Sequence, residues 1–200
     1  MPNLSAMTRP GPSGAARPDP PDQRRFRDAL GTFATGVTIV STRSGEQVHG
    51  MTANGFMSVS LDPALVVVSV ATKARMHDLL LQAGRYGVSV LARDQEQVSR
   101  HFAGRPQQGT EIELREIEGV PLVDRALTHV VAGLVDAHRA GDHTLFIGEV
   151  LHFEHRPGEP LIFHSGAYRN LMASAIDPTR SEEWAGELHT WGLRLDRRSS

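Results

Sequence analysis

The segment Gly141-Asp142-His143-Thr144-Leu145-Phe146-Ile147-Gly148-Glu149-Val150 decides the fold, because it joins a turn to a strand with a period of two. From Thr144 onward, one face carries Leu145, Ile147, Leu151 and Phe153, and the other carries Thr144, His152 and Glu154. This alternation is typical of a half-buried strand. His143 stands at the strand end, where an imidazole can meet a ligand near neutral pH. Alternatively, it is a turn residue without a functional task.

Composition places the chain among ordinary globular proteins. It has 200 residues, of which 40% are hydrophobic and 22% charged, and a net charge of −2, so one domain is expected and no basic footprint for nucleic acid is visible. The absence of cysteine excludes thiol catalysis, disulfides and cysteine metal sites. There is no apolar run long enough to span a membrane and no signal-peptide core, which favours a cytoplasmic protein.

The chain ends differ in character from the middle. Residues 1–21 hold six of the twelve prolines, which predicts a disordered tail. Residues 22–172 are expected to form the domain. The extension over residues 173–200 predicts an amphipathic helix whose apolar positions are Trp184, Leu188, Trp191 and Leu195.

The middle of the chain predicts eight or nine strands and three helices. Helices are expected from Asp22 as N-cap, over Lys73–Gln82, and over Asp94–Ala103 with Asp94 as cap and Gln97 at its third position. Strands are expected at Val37–Thr42, Gln47–Ala53, Met57–Leu61, Leu65–Val70, Tyr86–Leu91, Glu111–Ile117, Ala126–Ala137, Thr144–His155 and Leu161–Phe163. Consecutive, mostly antiparallel strands favour a mainly β fold, a closed or nearly closed barrel with peripheral helices.

Several common chemistries have no signature in this chain. There is no Gly-x-Gly, so neither a Rossmann fingerprint nor a Walker A loop is present. His152 and His155 are three apart on a strand, which puts them on opposite faces, and no metal site is predicted. Ser165 lies in His-Ser-Gly, which lacks the nucleophile-elbow pattern.

Three segments remain as candidates for binding. In Met51–Pro63, small and polar residues let the backbone approach a flat heteroaromatic ring, and Asn54 and Ser58 could match the imide edge of a flavin. A bend with solvated serines is the alternative.

The second segment, Ala71–His77, opens a helix after a buried strand. Thr72, Lys73 and Arg75 lie where free N–H groups and the helix dipole favour a phosphate. The third segment, His164–Leu171, offers Tyr168 and Arg169 to stack on and pair with a nucleotide. Ordinary solvated or core residues are the alternative in both cases.

Taken together, five motifs in order resemble the flavin reductase-like family, the small reductase components of two-component flavin-dependent monooxygenases. They are Phe26–Thr38, Met51–Pro63, Ala74–Leu80, Gly141–Val150 and Pro160–Leu171. The resemblance implies a split antiparallel β-barrel, usually a homodimer with sites at the subunit interface. It also implies oxidation of NADH or NADPH, reduction of FMN or FAD, and transfer of free reduced flavin to a separate oxygenase.

The resemblance also implies roles for individual residues. Thr52, Ala53 and Asn54 should line the isoalloxazine, with Ser58, Val59 and Ser60 near its edge. Lys73, Ala74 and Arg75 match the phosphate-binding turn, where the family often has Ser in place of Ala74. Phe102 matches an aromatic near the flavin, His143 the histidine that faces the nicotinamide, and Tyr168 and Arg169 a segment that meets a nucleotide.

Two other functions are compatible with the same barrel. One is a non-catalytic flavin- or haem-binding protein, and the other is an oxidase that keeps its flavin. The reductase reaction that the resemblance implies requires no side chain as acid or base, because the two cofactors carry the bond chemistry and the protein orients them.

Overall fold

The computed structural model describes residues 22–109 and 111–171. Their helices are α1 (Gln23–Gly31), α2 (Arg75–Ala83) and α3 (Glu96–Phe102), and a 3₁₀ turn covers Arg93–Gln95. Their strands are β1 (Thr35–Gly36), β2 (Thr38–Ser44), β3 (Gln47–Ala53), β4 (Phe56–Leu61), β5 (Ala64–Ala71), β6 (Arg85–Val90), β7 (Leu114–Ile117), β8 (Val120–Val123), β9 (Thr128–Ala140), β10 (His143–His155), β11 (Ile162–His164) and β12 (Ala167–Arg169). The prediction of a mainly β fold with a few helices is confirmed. The predicted tail and C-terminal helix lie outside the described residues.

Seven strands form the principal sheet, in the order β3-β2-β6-β9-β10-β5-β4. All neighbouring strands in it are antiparallel. Two smaller sheets, β1-β11-β12 and β7-β8, flank it. Of the described strands, sequence periodicity missed β1, β8 and β12, which are two to four residues long and too short for an alternation to show.

The principal sheet is strongly curved, because its two edge strands are neighbours in the chain. Only Asn54 and Gly55 separate the end of β3 from the start of β4. Three Cα steps reach at most about 11 Å, whereas the edges of a flat seven-stranded sheet lie about 29 Å apart at 4.8 Å per strand. The Ser69 N–H donates to the Gly55 carbonyl at 2.8 Å, which fixes the link against β5.

The concave face of the sheet encloses the main core. Val68, Tyr86 and Phe146 are fully buried there. Met76 and Leu80 of α2 join the same cluster and are 1% exposed. These two side chains close the interior of the curved sheet, whereas Asp78, Leu81 and Gln82 on the other side of α2 are exposed.

The helix starts agree only in part with the sequence. Asp22 caps α1 as predicted, since its carboxylate accepts from the N–H groups of Arg24 and Arg25. Asp94 does not cap α3, which was expected from the spacing to Gln97. It lies inside the 3₁₀ turn, and the buried Gln95 side chain instead accepts from the Ala92 N–H and donates to the Asp124 carbonyl.

The β9–β10 hairpin turns at Gly141-Asp142, as the sequence predicts, and Gly141 has a positive φ of 64°. The buried face of β10, however, is the one that carries Thr144 and Phe146. Leu151 and Phe153, on the apolar face expected to be buried, are 48% and 69% exposed in the single chain.

Among the described residues, no helix combines the length and apolarity that crossing a membrane requires.

The packing of Tyr86 yields a prediction about stability. A Cβ on Gly148 would lie 2.6 Å from the Tyr86 Oη and 2.8 Å from the Ala132 Cβ, and neither neighbour can move away inside the core. We expect Gly148→Ala to lower the free energy of unfolding by about 1–3 kcal/mol, measured by urea denaturation. Gly36→Ala is the control, because a Cβ there meets nothing within 4 Å. If Gly148→Ala unfolded at the same urea concentration as the wild type, the close packing of Gly148 against Tyr86 would be contradicted.

Candidate functional site

A cavity of about 590 Å³ opens between the end of β3, helix α3 and the β11–β12 hairpin. The chain brings thirteen residues to its wall: Val37, Thr52, Ala53, Asn54, Glu96, Ser99, Arg100, Ala103, Arg105, Phe163, Gly166, Ala167 and Tyr168. Four of the predicted site residues are among them, namely Thr52, Ala53, Asn54 and Tyr168. The volume lies within the range of small-molecule sites.

Helix α3 comes close to β3 because Gly50 has no side chain. The Phe102 ring occupies the space of a Cβ at Gly50, which would lie 2.5 Å from the ring. This contact places Phe102 behind the cavity, in the cluster with Ile39 and Leu91. Two residues along β3, the Thr52 hydroxyl donates to the Ser99 carbonyl at 2.6 Å.

Tyr168 is held on several sides. Its hydroxyl shares a hydrogen bond of 2.8 Å with the hydroxyl of the fully buried Ser99. Its ring packs edge-on against Phe163, with centroids 5.4 Å apart. The Arg100 guanidinium lies over the ring, 5.0 Å from the centroid. Tyr168 therefore forms a fixed part of the cavity wall, in contact with a cation.

A second cluster lies where β5 leads into α2. The N–H and hydroxyl of Thr72 both donate to the Asp142 carbonyl, at 2.9 and 3.1 Å. Ala74 is the N-cap of α2 and makes no side-chain cap hydrogen bond. The predicted phosphate turn, Thr72–Arg75, is thus tied directly to the Gly141-Asp142 turn before His143.

His143 is oriented by its neighbour in the chain. Its Nδ1 lies 2.8 Å from the Asp142 Oδ1, and 44% of its side chain is exposed. The pKa of the Asp142 carboxyl is lowered, chiefly because His143 donates this hydrogen bond. The nearby charges of His143 and Lys73 lower it further. The carboxylate therefore stays ionised and holds the ring, while none of the described residues hydrogen-bonds Nε2.

Arg75 contacts the start of β3, at the end of the strand that lies away from the cavity. Its guanidinium donates to the Gln47 side chain at 3.0 Å. Partial burial, followed by the Arg75 charge, lowers the pKa of His49. His49 is accordingly neutral at pH 7, and Arg75 is the cation of this pair.

The Asn54–Gly55 link follows the cavity-lining end of β3 and is bonded to β5, since the Ser69 N–H donates to the Gly55 carbonyl. Ser69 lies three residues before Thr72, so β5 connects this link to the turn that opens α2.

Other predicted site residues lie elsewhere in the single chain. Ser58, Val59 and Ser60 are on edge strand β4, where the register shifts between Ser58 and Ser60, and they do not line the cavity. Arg169 is exposed and follows Tyr168 on β12, so its side chain points to the opposite face.

Some residues were missed from the sequence. Ser99, Arg100 and Arg105 line the cavity, but the helical spacing alone gave no reason to connect them with Tyr168. His77 was also missed. Its Nε2 lies 3.0 Å from the Thr144 hydroxyl and its ring packs on Phe146, which joins α2 to β10.

In residues 22–109 and 111–171, no group of three or more His, Asp or Glu side chains is arranged to hold a metal ion.

Comparison with known proteins gives concordant matches. A family model, the flavin reductase-like domain, matches residues 30–172. An NADH-dependent flavin reductase from a Rhodococcus species is 49% identical over 162 residues, which cover 80% of this chain and 90% of that protein. The reductase component of 4-hydroxyphenylacetate 3-monooxygenase from Thermus thermophilus is 40% identical over 148 residues, covering 74% and 95%.

The solved structures agree with the sequence matches. The flavin reductase PheA2 in its native state superposes with a TM-score of 0.74 at 45% identity, over 76% of this chain and 99% of that chain.

Proposed function

Because the chain belongs to the flavin reductase-like domain family, we propose that it is an NADH-dependent oxidoreductase that reduces FMN or FAD and supplies the free reduced flavin to a separate monooxygenase. The observation that carries the proposal is the cavity formed by Thr52–Asn54 and Tyr168 in a chain 49% identical to an NADH-dependent flavin reductase. The supply of reduced flavin follows from the similarity to a monooxygenase reductase component.

The cavity fits a flat heteroaromatic ring. The strand end Thr52–Asn54 offers backbone and amide groups that can pair with the polar edge of an isoalloxazine. Tyr168 and Phe163 supply an aromatic wall. Phe102 supports β3 from behind. Ser58, Val59 and Ser60 are proposed to reach the flavin edge from a second copy of the chain.

The flavin phosphate is proposed to bind at Lys73, Ala74 and Arg75. This turn opens α2, whose first N–H groups favour an anion. Thr72 anchors the turn through the Asp142 carbonyl. Ala74 contributes no hydroxyl, so the phosphate contacts fall to the backbone and to Lys73 and Arg75.

His143 is proposed to orient the nicotinamide. The Asp142 carboxylate fixes the imidazole through Nδ1, which leaves Nε2 for the carboxamide or a phosphate of the dinucleotide. A nicotinamide oriented by His143 would supply a hydride from C4 to N5 of a flavin held by Thr52–Asn54 and Tyr168. The protein's part is to hold the two rings within about 3.5 Å, which supplies most of the acceleration by proximity.

A flavin that is delivered to another enzyme must dissociate readily. Micromolar affinity, roughly 8 kcal/mol of binding free energy, suits such release better than nanomolar affinity. The cavity's opening at the edge of the domain is compatible with this exchange.

The architecture is proposed to be a split barrel that works as a homodimer. Strands β4, β9 and β10 carry large apolar side chains that are exposed in the single chain: Met57, Leu61, Val135, Leu151 and Phe153. Exposed apolar side chains in such number are commonly covered by a partner. A second copy would cover them and bring β4 toward the partner's cavity.

The proposed activity is tested by steady-state oxidation of NADH and NADPH with FMN, FAD and riboflavin in turn. We expect flavin-dependent consumption of NADH, since free flavin is a substrate. No flavin-dependent consumption would favour the flavin- or haem-binding alternative. Activity without added flavin, with yellow colour retained through gel filtration, would favour an oxidase that keeps its flavin.

Two variants should separate the two binding steps. His143→Ala should raise the KM for NADH or slow reduction about 3- to 10-fold, because it removes a hydrogen bond to the nicotinamide half. Arg75→Ala should instead raise the Kd for FMN roughly tenfold or more, because it removes a charged contact.

The measurements are stopped-flow flavin reduction and quenching of flavin fluorescence. Each variant serves as the control for the other. If His143→Ala reduced flavin with the rate and KM of the wild type, the role of His143 would be refuted. If Arg75→Ala bound FMN with the Kd of the wild type, the role of Arg75 would be refuted.

The dimer is tested by placing a charge at one of these exposed apolar positions. Phe153→Asp should convert the dimer to a monomer in light scattering after gel filtration, because burying a carboxylate at an interface is costly. Leu81→Asp is the matched control, because Leu81 is an exposed apolar residue on α2 and not on β4, β9 or β10. A monomeric wild-type protein, or a dimeric Phe153→Asp variant, would overturn the assignment.

A further inference from the structure

One wall of the cavity carries two cations that the proposed roles do not use. Arg100 belongs to α3, and Arg105 follows the helix. Their backbones are connected, since the Arg105 N–H donates to the Arg100 carbonyl at 2.9 Å. Glu96 is the only carboxylate among the lining residues, so the wall holds two guanidinium groups against one negative charge.

Arg100 is fixed in orientation before any ligand arrives. Its Nε and Nη2 both donate to the Glu96 Oε1, at 2.7 and 2.6 Å. Its guanidinium also lies over the Tyr168 ring. A guanidinium has five N–H donors, and Glu96 uses two of them, so the Nη1 donors remain directed away from the carboxylate.

The ring beneath Arg100 is itself anchored in the interior. The Tyr168 hydroxyl bonds to Ser99, which is 0% exposed. The stack of Arg100 on Tyr168 is therefore backed by buried groups. A side chain held in this way loses little entropy on binding, which is the condition for an efficient anion contact.

We propose that Arg100 and Arg105 form a second phosphate-binding subsite, which takes a phosphate of a bound dinucleotide. The inference rests on the proposed function and deepens it. The first phosphate site, at Lys73–Arg75, opens a different helix. Two separate phosphate sites suit a reaction whose partners carry phosphates on different molecules. The phosphate comes either from the pyrophosphate of NADH or from that of FAD.

The test uses Arg100→Met, Arg105→Met and the double variant. Methionine keeps an unbranched apolar stem that can cover Tyr168 and removes the charge. Arg93→Met is the control, because Arg93 is an exposed arginine paired with Glu159 that does not line the cavity. Glu96→Gln keeps an oxygen that accepts from Arg100 and removes the negative charge.

The first readout is KM with NADH and with the phosphate-free donor 1-benzyl-1,4-dihydronicotinamide, each with FAD, FMN and riboflavin. If NADH supplies the phosphate, the double variant should raise its KM roughly 10- to 100-fold, with the benzyl donor unaffected. If FAD supplies it, the loss should appear with FAD and be absent with FMN and riboflavin. An equal loss with the benzyl donor and riboflavin would overturn the subsite and make the arginines structural.

The second readout is binding of ADP and adenosine by calorimetry, which requires no activity. ADP should bind the wild type and the Arg93→Met control, weaken at least tenfold in the double variant, and tighten several-fold in Glu96→Gln. Adenosine should not distinguish the variants. ADP binding that is the same in the wild type and the double variant, or absent from both, would overturn the subsite. Failure of the wild type to oxidise NADH would refute the proposed function separately.

Discussion

The two-residue link between β3 and β4 is the constraint on which the rest of the structure depends. Asn54 and Gly55 join opposite edges of a seven-stranded sheet, so the sheet must curve until those edges approach each other. Curvature creates an interior that has to be filled, and Met76 and Leu80 of α2 fill it together with Tyr86. The main core and the position of α2 thus follow from one short connection.

Much of this was accessible from local sequence patterns. Gln47–Ala53 was predicted with the bounds that β3 has, and the Gly141-Asp142 turn and the cap at Asp22 were also predicted. Each of these depends on a few adjacent residues. The buried face of β10 was not accessible, because alternation favours burial of the more apolar face, and here the other face meets the interior. Phe146 faces inward since the curved sheet presents that side to α2, a fact of long-range topology.

The candidate site, too, was predictable only where it depends on local sequence motifs. Thr52, Ala53, Asn54 and Tyr168 were found through motifs and share one cavity. Arg100 was missed, although it is the cation that lies over Tyr168. The sequence predicts that Tyr168 and Arg169 together contact a nucleotide, but adjacent side chains on a strand point to opposite faces. A cation that stacks on a strand residue has to come from another element, and here it comes from α3, 68 residues earlier in the chain.

The width of the cavity is determined by how closely α3 approaches β3. Phe102 occupies the space above Gly50, and the Thr52 hydroxyl bonds to the Ser99 carbonyl. The same Ser99 bonds to Tyr168 through its side chain. One buried residue therefore ties both walls, so that a displacement of α3 would move the aromatic wall together with the strand end. Rigid spacing of this kind suits a site whose task is to hold two planar rings at a fixed separation, since proximity falls off steeply with misplacement.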